Sequence, residues 1–183
     1  MSDQDTTPAT TPENANGAMG ADEAPQVAVV AQYIKDMSAE NPSAPAVFQW
    51  QGQPTLDVQF NINVDRISED FHEVILKITV KATSDQGTHF FVDLAYGGLF
   101  GLRNVPDEAL PPFLLIEAPR MLFPFARQIV AEQVQNMGFP PVLLDPIDFA
   151  AAYVAQVEAA GAADDQTSET AGVSLADEPA GNA

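Results

Sequence analysis

Four segments in the N-terminal part of the chain alternate apolar and polar residues, the pattern of β-strands that bury one face. In the clearest of them Leu56, Val58 and Phe60 alternate with Asp57 and Gln59. The four predicted strands span 26–36, 55–64, 71–82 and 88–96. The links between the last three strands are short, and short links join antiparallel neighbours. We therefore predict a four-stranded antiparallel sheet.

The pattern changes to a helical period in the C-terminal part of the chain. Gly97-Gly98 predicts a bend that ends the fourth strand, and the prolines after Pro106 predict a short or broken helix. Apolar residues then recur every three or four positions over 121–137, and Gly138 is a suitable stop. A last helix is predicted from Asp145-Pro146 to about 160. Strands followed by helices make the fold class α+β, with the helices packed on one face of the sheet.

Both ends of the chain are acidic and contain no basic residue. Residues 1–24 and residues 161–183 hold five acids each and are rich in small or polar residues. Such segments bury too little apolar surface to offset the entropy lost when the backbone becomes ordered. We expect two disordered acidic tails around one domain over 25–160, which is a common domain size.

Composition excludes several classes of function. Seven basic against 26 acidic residues give a net charge of −19, which argues against binding to nucleic acid or to anionic lipid. Because the chain has no cysteine, disulfides, thiolate metal sites and thiol nucleophiles are excluded. The N-terminus lacks the basic and apolar regions of a secretory signal, and no apolar stretch is long enough to span a membrane. We expect a cytoplasmic protein.

Little in the sequence points to catalysis. His72 and His89 each lie in a predicted strand, and no known catalytic or phosphate-binding motif is present. Asp36 and Glu40 could form a carboxylate pair for acid–base chemistry, but neighbouring carboxylates arise by chance in so acidic a chain. We expect no enzyme activity, no metal and no cofactor.

The predicted sheet has more apolar positions than one layer of helices can cover. In the fourth strand Val92, Leu94 and Tyr96 share one face, and Phe91 and Asp93 share the other. Two interpretations of the first face are open from the pattern alone, packing on the helices or contact with another subunit.

Several segments together resemble the SecB family of bacterial protein-export chaperones. The resemblance runs from about Val27 to Tyr153. The segments that carry it are VAQYIKDMSAENPSAPAVFQ (30–49), FHEVILKITVKA (71–82), GGLF (97–100), LFPFAR (122–127) and GFPPVLLDPIDF (138–149). One such fragment would be weak evidence, but the set in this order and spacing is highly specific.

The resemblance implies a fold, an assembly and a function. The fold is α+β, and two dimers pack through sheets and helices into a homotetramer. The function is that of a nucleotide-independent chaperone, which keeps export precursors unfolded in the cytoplasm and delivers them to the SecA motor ATPase of the translocon. The absence of a phosphate-binding loop agrees with this. No direct insertion into the membrane is implied.

The resemblance also implies a surface for the motor ATPase. In the family the small, basic, zinc-bearing tail of SecA docks on an acidic surface of the sheet. The matching positions are Asp36, Glu40, Phe91 and Asp93. The family's glutamate at the last position is an aspartate here. Any zinc would belong to the partner, because this chain has no cysteine.

A second implied site is a groove for unfolded clients, between the second strand and the helices. The matching positions are Leu56, Val58 and Phe60 on the strand, and Phe149, Tyr153 and Val157 on the last helix. The family's tryptophan beside the groove falls at the position of Gly52, so Trp50 would take its place. These side chains could instead be ordinary core residues.

The family's contact between dimers implies a role for Val92, Leu94 and Tyr96 in the tetramer interface. Two other functions remain as alternatives. One is an enzyme with a carboxylate site at Asp36 and Glu40. The other is a SecB-like chaperone redirected to another client, such as a toxin–antitoxin pair, and the presence of Asp36, Glu40 and Asp93 favours export over this one.

Overall fold

The computed structural model of the protein describes residues 24–155 and 157–158. Four strands form one antiparallel sheet in the order β1-β4-β3-β2, so that β1 and β2 are the two edges. Their bounds are β1 Gln26–Glu40, β2 Thr55–Arg66, β3 Phe71–Ser84 and β4 Gly87–Arg103. The predicted α+β class and the antiparallel sheet are confirmed.

Each strand begins close to its predicted start but continues further, and β4 departs most from the prediction. It passes straight through Gly97-Gly98 and ends at Arg103, so the expected bend at the glycine pair was wrong. The glycines are needed for space instead. A Cβ on Gly97 would come 2.8 Å from the ring of Tyr33, and one on Gly98 would come 2.8 Å from side chains of Leu122 and Phe100.

Three segments form the helical layer. A 3-10 turn at Asp107–Ala109 leads into α1 (Leu110–Pro112), and a π-helical turn at Phe113–Glu117 joins α1 to the long helix α2 (Ala118–Asn136). Proline carries no N–H, and the closely spaced prolines break the regular bonding here. Gly138, at φ 90°, ends the helix as predicted. After an irregular connector, α3 is helical over 149–155 and 157–158, later than the predicted start at Asp145-Pro146.

Helix α2 packs on β4 and β3 and defines two faces of the sheet. On the helix face, alternate residues of the two strands are fully buried: Val74, Leu76, Ile78, Val80, Val92, Leu94 and Phe100. They meet Leu122, Ala126, Val130 and Val134 of α2 in the core. We call the opposite side the outer face. It carries Phe91, Asp93 and Ala95 of β4, and the predicted division of β4 into two faces therefore agrees with the structure.

The residues expected at the tetramer interface lie in this core. Val92 and Leu94 have no exposed surface, and Tyr96 is 7% exposed. Because the protomer's own helices cover them, they have no surface to offer a second subunit. Their burial within the protomer gives no support to an interface role, and the assignment stays a prediction. Both faces of β4 carry apolar residues, so alternation alone could not tell which one the helices cover.

The two tails predicted for 1–24 and 161–183 lie outside the described residues, apart from Ala24. The domain limits of 25–160 therefore stay a prediction.

Candidate functional site

Edge strand β2 carries a row of apolar side chains on the helix face. The register with β3 is unbroken and pairs Leu56 with Ala82, Val58 with Val80 and Phe60 with Ile78. The partners on β3 are buried, whereas Leu56 is 45% and Phe60 39% exposed. The sheet extends beyond the cover that α2 provides, so these side chains remain open to solvent.

Two cavities follow this row. The first, of about 570 Å³, lies between β2 and the segment after α2 and is lined by Trp50, Leu56, Phe90, Phe139 and Val142 among others. The second, of about 390 Å³, is lined by Leu56, Val58, Phe60, Leu143 and Ile147 among others. Leu56, Val142 and Leu143 line both. We call this continuous depression the β2 groove.

The far wall of the β2 groove is the irregular connector over 139–147. Its Leu143 is 72% exposed, and Phe139 stacks at a tilt on Phe48 with ring centroids 5.7 Å apart. The segment overlaps the family motif over 138–149, but no role was predicted for its apolar side chains. Its surplus of apolar residues without helical or strand periodicity was the signal that could have identified it.

Trp50 closes one end of the β2 groove. Its ring meets His89 edge-on at 5.0 Å between centroids, and it lies so close to Gly87 that a Cβ there would be 3.1 Å from the indole. His89 is buried and bonds to Ser84 Oγ through Nε2 at 2.9 Å. The indole is thus held by its neighbours at the position expected for the groove tryptophan.

The three residues predicted on the last helix differ in how far they are exposed. Phe149 is 3% exposed and packs edge-on against Phe123 at 6.1 Å between centroids. It is a core residue of the protomer, and its role as a client contact stays a prediction. Tyr153 is half-buried and Val157 is 53% exposed, and neither is among the residues that line the two cavities.

The four residues predicted to bind the motor ATPase come together on the outer face. In the register of β1 with β4, Glu40 pairs with Phe91, Ser38 with Asp93 and Asp36 with Ala95. Asp36 and Glu40 are exposed, and Phe91 and Asp93 are half-buried. Ser38 donates to Glu40 at 3.0 Å and Thr79 to Asp93 at 3.4 Å. Three carboxylates and one partly exposed aromatic ring therefore share this face, with Phe91 beside Glu40 at one end of the row. We call these four residues the acidic surface.

A buried carboxylate ties β1 to β3 across the outer face. Glu73, 7% exposed, accepts hydrogen bonds from the Tyr33 hydroxyl and from Lys35 Nζ, the latter at 2.6 Å. The bond from Lys35 and then that from Tyr33 lower the pKa of Glu73. The same bond to Glu73 raises the pKa of Tyr33 to about 12. Sequence reasoning missed this cluster, because its members lie 38 and 40 residues apart.

His72 lies on the helix face beside the end of the sheet. Its Nδ1 is buried and has no hydrogen-bond partner among the described residues. Burial, and to a lesser extent the charge of Arg66, lowers its pKa. It lines neither cavity of the β2 groove.

Comparison with known proteins identifies the family of the chain. The family model "Preprotein translocase subunit SecB" matches residues 20–160. The chain belongs to the SecB family. Protein-export protein SecB of Sphingopyxis alaskensis is 56% identical over 141 residues, which cover 77% of this chain and 82% of the relative. That of Zymomonas mobilis is 56% identical over 137 residues, 75% of this chain and 84% of the relative.

A solved structure supports the fold at much lower identity. A SecB-like chaperone of Mycobacterium tuberculosis, in complex with a ChAD peptide from an antitoxin, superposes with a TM-score of 0.55. It is 17% identical, and the match covers 66% of this chain and 90% of that one. At this identity the likeness concerns the fold alone.

Membership in the SecB family confirms that the protein is a chaperone of protein export and not an enzyme. This excludes the alternative of an enzyme with a carboxylate site at Asp36 and Glu40. Within residues 24–155 and 157–158, no group of His, Asp or Glu is arranged to hold a metal ion. In the same part of the chain, no helix has the length and apolar character needed to cross a membrane.

Proposed function

We propose that this SecB-family chaperone holds export precursors unfolded in the β2 groove, without nucleotide, and delivers them to the SecA motor ATPase in the cytoplasm. The observation that carries the proposal is the β2 groove itself. Its two cavities meet along one edge strand whose apolar side chains stay exposed although their neighbours on β3 are buried. Exposed apolar surface of this extent is typical of a binding site.

The energetics of the β2 groove favour many weak contacts over one strong contact. Burial of one large apolar side chain contributes about 1.5–3 kcal/mol. Submicromolar affinity needs more than about 8 kcal/mol, and ordering an unfolded chain costs several more. Several client side chains must therefore bind at once. A long groove with apolar walls and few polar groups meets this requirement and selects weakly among sequences.

The acidic surface is our proposed docking site for the basic tail of SecA. Asp36, Glu40 and Asp93 attract a basic partner, and Phe91 offers an apolar contact beside Glu40. The acidic surface lies on the outer face, and the β2 groove lies on the helix face at the opposite edge. A client in the groove would therefore leave the acidic surface free for the motor.

We further propose that β1, and not Val92, Leu94 and Tyr96, forms the contact that pairs two protomers within the homotetramer. β1 is the other edge of the sheet and is 15 residues long. Its Val27, Val29 and Ile34 are each more than 40% exposed. An unpaired edge with exposed apolar side chains is suited to pairing with a second copy of the chain.

Aggregation suppression tests the holding function. Dilution of a denatured export precursor into stoichiometric protein without nucleotide should leave light scattering low, and the chaperone particle should have the mass of four protomers. Leu56→Ser/Leu143→Ser should lose much of the suppression, because both exposed side chains leave the β2 groove. Ile67→Ser, which changes an equally exposed side chain outside the groove, is the control. If the precursor aggregates as fast as it does without the protein while the tetramer is intact, the proposal is refuted.

Binding of the motor tail tests the delivery step. Asp36→Ala/Glu40→Ala should abolish binding of a peptide with the sequence of the SecA tail and leave precursor binding unchanged. Asp57→Ala, which removes an outer-face carboxylate at the far edge of the sheet, is the control. Retained tail binding in the double variant would favour the alternative of a chaperone redirected to another client.

A further inference from the structure

The alternation of β1 breaks immediately before the acidic surface. Ile34 faces the helices, as its partner Tyr96 does. Lys35 has no partner in the register with β4, and Asp36 pairs with Ala95 of the outer face. In a regular strand, Lys35 and Asp36 would point to opposite faces. The extra residue of the bulge instead shifts Asp36 onto the outer face, where the Lys35 side chain also lies.

This bulge brings a cation next to a carboxylate of the acidic surface. Successive Cα atoms are about 3.8 Å apart, so the ammonium group of Lys35 is within reach of the Asp36 carboxylate. Two other lysines of the outer face, Lys77 and Lys81, lie on β3. β4 separates that strand from β1 by two strand spacings, about 10 Å. The cation that bears most directly on Asp36 is therefore Lys35.

Glu73 binds the ammonium group of Lys35 instead. Lys35 Nζ lies 2.6 Å from Glu73 Oε2, and the Tyr33 hydroxyl donates to Oε1 of the same carboxylate. The Glu73 side chain is 9% exposed and that of Lys35 45%, so the lysine reaches across β4 to a carboxylate held within the sheet. Within the described part of the chain, none of the ion pairs involves Asp36. Its charge is left available to a partner.

We infer that Glu73 is a positioning residue of the acidic surface, which neutralises Lys35 and so keeps the Asp36 carboxylate free for a basic partner. This inference rests on the proposed docking of the SecA tail and deepens it. Glu73 does not need to touch the partner, because it acts through Lys35. Its lowered pKa keeps it ionised at neutral pH, as this role requires.

Loss of the charge on Glu73 would change the acidic surface in two ways. The ammonium group of Lys35 would become an uncompensated cation beside Asp36, and it would be free to pair with that carboxylate. Both effects weaken the attraction for a basic partner. Because Lys35 is partly exposed, water and salt screen them. We therefore expect weaker binding and not a complete loss.

The affinity of the peptide with the sequence of the SecA tail, measured by calorimetry at low ionic strength, tests the inference. Glu73→Gln should bind this peptide about three- to fivefold more weakly than the unaltered protein. Lys35→Gln/Glu73→Gln also removes the freed cation and should bind within about twofold of the unaltered protein. Added salt should reduce the difference between Glu73→Gln and the unaltered protein.

Asp65→Asn is the matched control for the loss of one negative charge. Asp65 is exposed on the outer face and lies opposite Glu73 in the register of β2 with β3. Its replacement removes a carboxylate without freeing Lys35, and it should change the affinity by less than about twofold. Equal weakening in Asp65→Asn and Glu73→Gln would overturn the inference, because the total charge alone would then explain the affinity.

Damage to the sheet would give a different result from the inferred role. Lys35→Gln/Glu73→Gln lacks the same bond across β4 as Glu73→Gln, so a structural defect would persist in it, whereas the inferred role predicts recovery. Circular dichroism would establish that both variants keep the sheet. Weak binding by both folded variants, or unchanged binding by Glu73→Gln, would overturn the inference.

A measurement on the unaltered protein needs no variant to fold. In nitrogen-15 NMR, the ammonium group of Lys35 should show the restricted motion and slow proton exchange of a charge-assisted hydrogen bond to Glu73. The signal should stay so when the peptide is bound. A freely rotating, rapidly exchanging ammonium group would overturn the inference.

Failure of the proposed docking is distinguishable from failure of this inference. If the acidic surface does not bind the tail, Asp36→Ala/Glu40→Ala should bind the peptide as well as the unaltered protein does, and both proposals are wrong. If only the role of Glu73 is wrong, that double variant still loses binding while Glu73→Gln keeps it.

Discussion

At the scale of single residues, the outer face depends on one side chain that crosses a neighbouring strand. Tyr33 of β1 lies over Gly97 of β4 and reaches Glu73 of β3. A side chain at position 97 would overlap the Tyr33 ring and keep its hydroxyl from reaching Glu73. Gly97 and Gly98 are therefore explained by side chains that pack closely against them and not by a turn. Gly101 of the same strand has more space, since no atom would lie closer than 3.5 Å to an added Cβ.

Gly97→Ala should lower the free energy of unfolding by about 1–3 kcal/mol, because the added methyl overlaps the Tyr33 ring. Gly101→Ala is the matched control, since its Cβ would have no neighbour closer than 3.5 Å. Urea denaturation at one fixed protein concentration measures both. An equal effect of the two substitutions would contradict the account of Tyr33.

The charge on Glu73 makes a pH-dependent contribution to stability. Lys35 and Tyr33 hold the folded-state pKa below the ordinary 4.5, so the ionised form stabilises the fold. This contribution is present above the unfolded-state pKa and is lost as the pH falls through the folded-state pKa. Glu73→Gln should therefore cost about 1–3 kcal/mol at neutral pH, and the difference from the unaltered protein should shrink below about pH 4.5.

Urea unfolding across a pH series checks this prediction. Glu69→Gln, at an exposed position in the β2–β3 turn, serves as the control and should change stability little at any pH. A constant difference between Glu73→Gln and the unaltered protein down to acid pH would show that lost packing, and not lost charge, is responsible.

At the scale of elements, the sheet has two free edges with different characters. β1 exposes aliphatic side chains on the helix face beyond α2 and contains bulges at Val30 and Lys35. β2 is regular and borders the groove. We assign the first edge to contact between copies of the chain and the second to clients. Bulges increase the local twist of a strand, and the register of β2 with β3 contains none.

Val29→Lys/Ile34→Lys should shift the protein from tetramers to smaller particles, because two buried charges would have to be desolvated in a β1 contact. Light scattering measures the mass. Ile67→Lys, at a side chain 60% exposed beside β2, should leave the mass unchanged. A change in Leu94→Arg would not report on assembly, because Leu94 is fully buried and its replacement should unfold the protomer. Intact tetramers in the double variant would refute the role of β1.

At the scale of the whole molecule, the net charge of −19 affects how partners approach. Four copies would concentrate this charge, and a field of one sign steers oppositely charged partners toward the surface. Salt screens that field over about 10 Å at 0.1 M ionic strength. The carboxylates of the acidic surface and of β2 both contribute to this field.

The association rate of a basic unfolded client should fall by about tenfold or more from low to high salt, because steering is screened. The dissociation rate should change less, since apolar contacts in the β2 groove hold the bound client. Stopped-flow fluorescence measures both rates. An acidic client of similar hydrophobicity is the control and should not bind more slowly as salt is added. Equal salt dependence for the two clients would contradict steering.

The four strands, the hairpins of β2 with β3 and of β3 with β4, and the two faces of these three strands were predictable from the sequence alone. These follow from period-two alternation and short links, which are local properties. The residues of the acidic surface were also predictable, because Phe91 and Asp93 share a face by alternation and the family motif supplied Asp36 and Glu40. The turn at Gly138 needed only the preference of glycine for positive φ.

Tertiary packing was needed to show which face of β4 the helices cover, and it places Val92, Leu94 and Tyr96 in the core of the protomer. It also decided that Phe149 is buried while Leu143 is open, and that Tyr33 crosses Gly97 to reach Glu73. The physical reason is the same in each case. Alternation assigns a side chain to a face, but burial depends on what packs there from distant parts of the chain, and no local pattern carries that information.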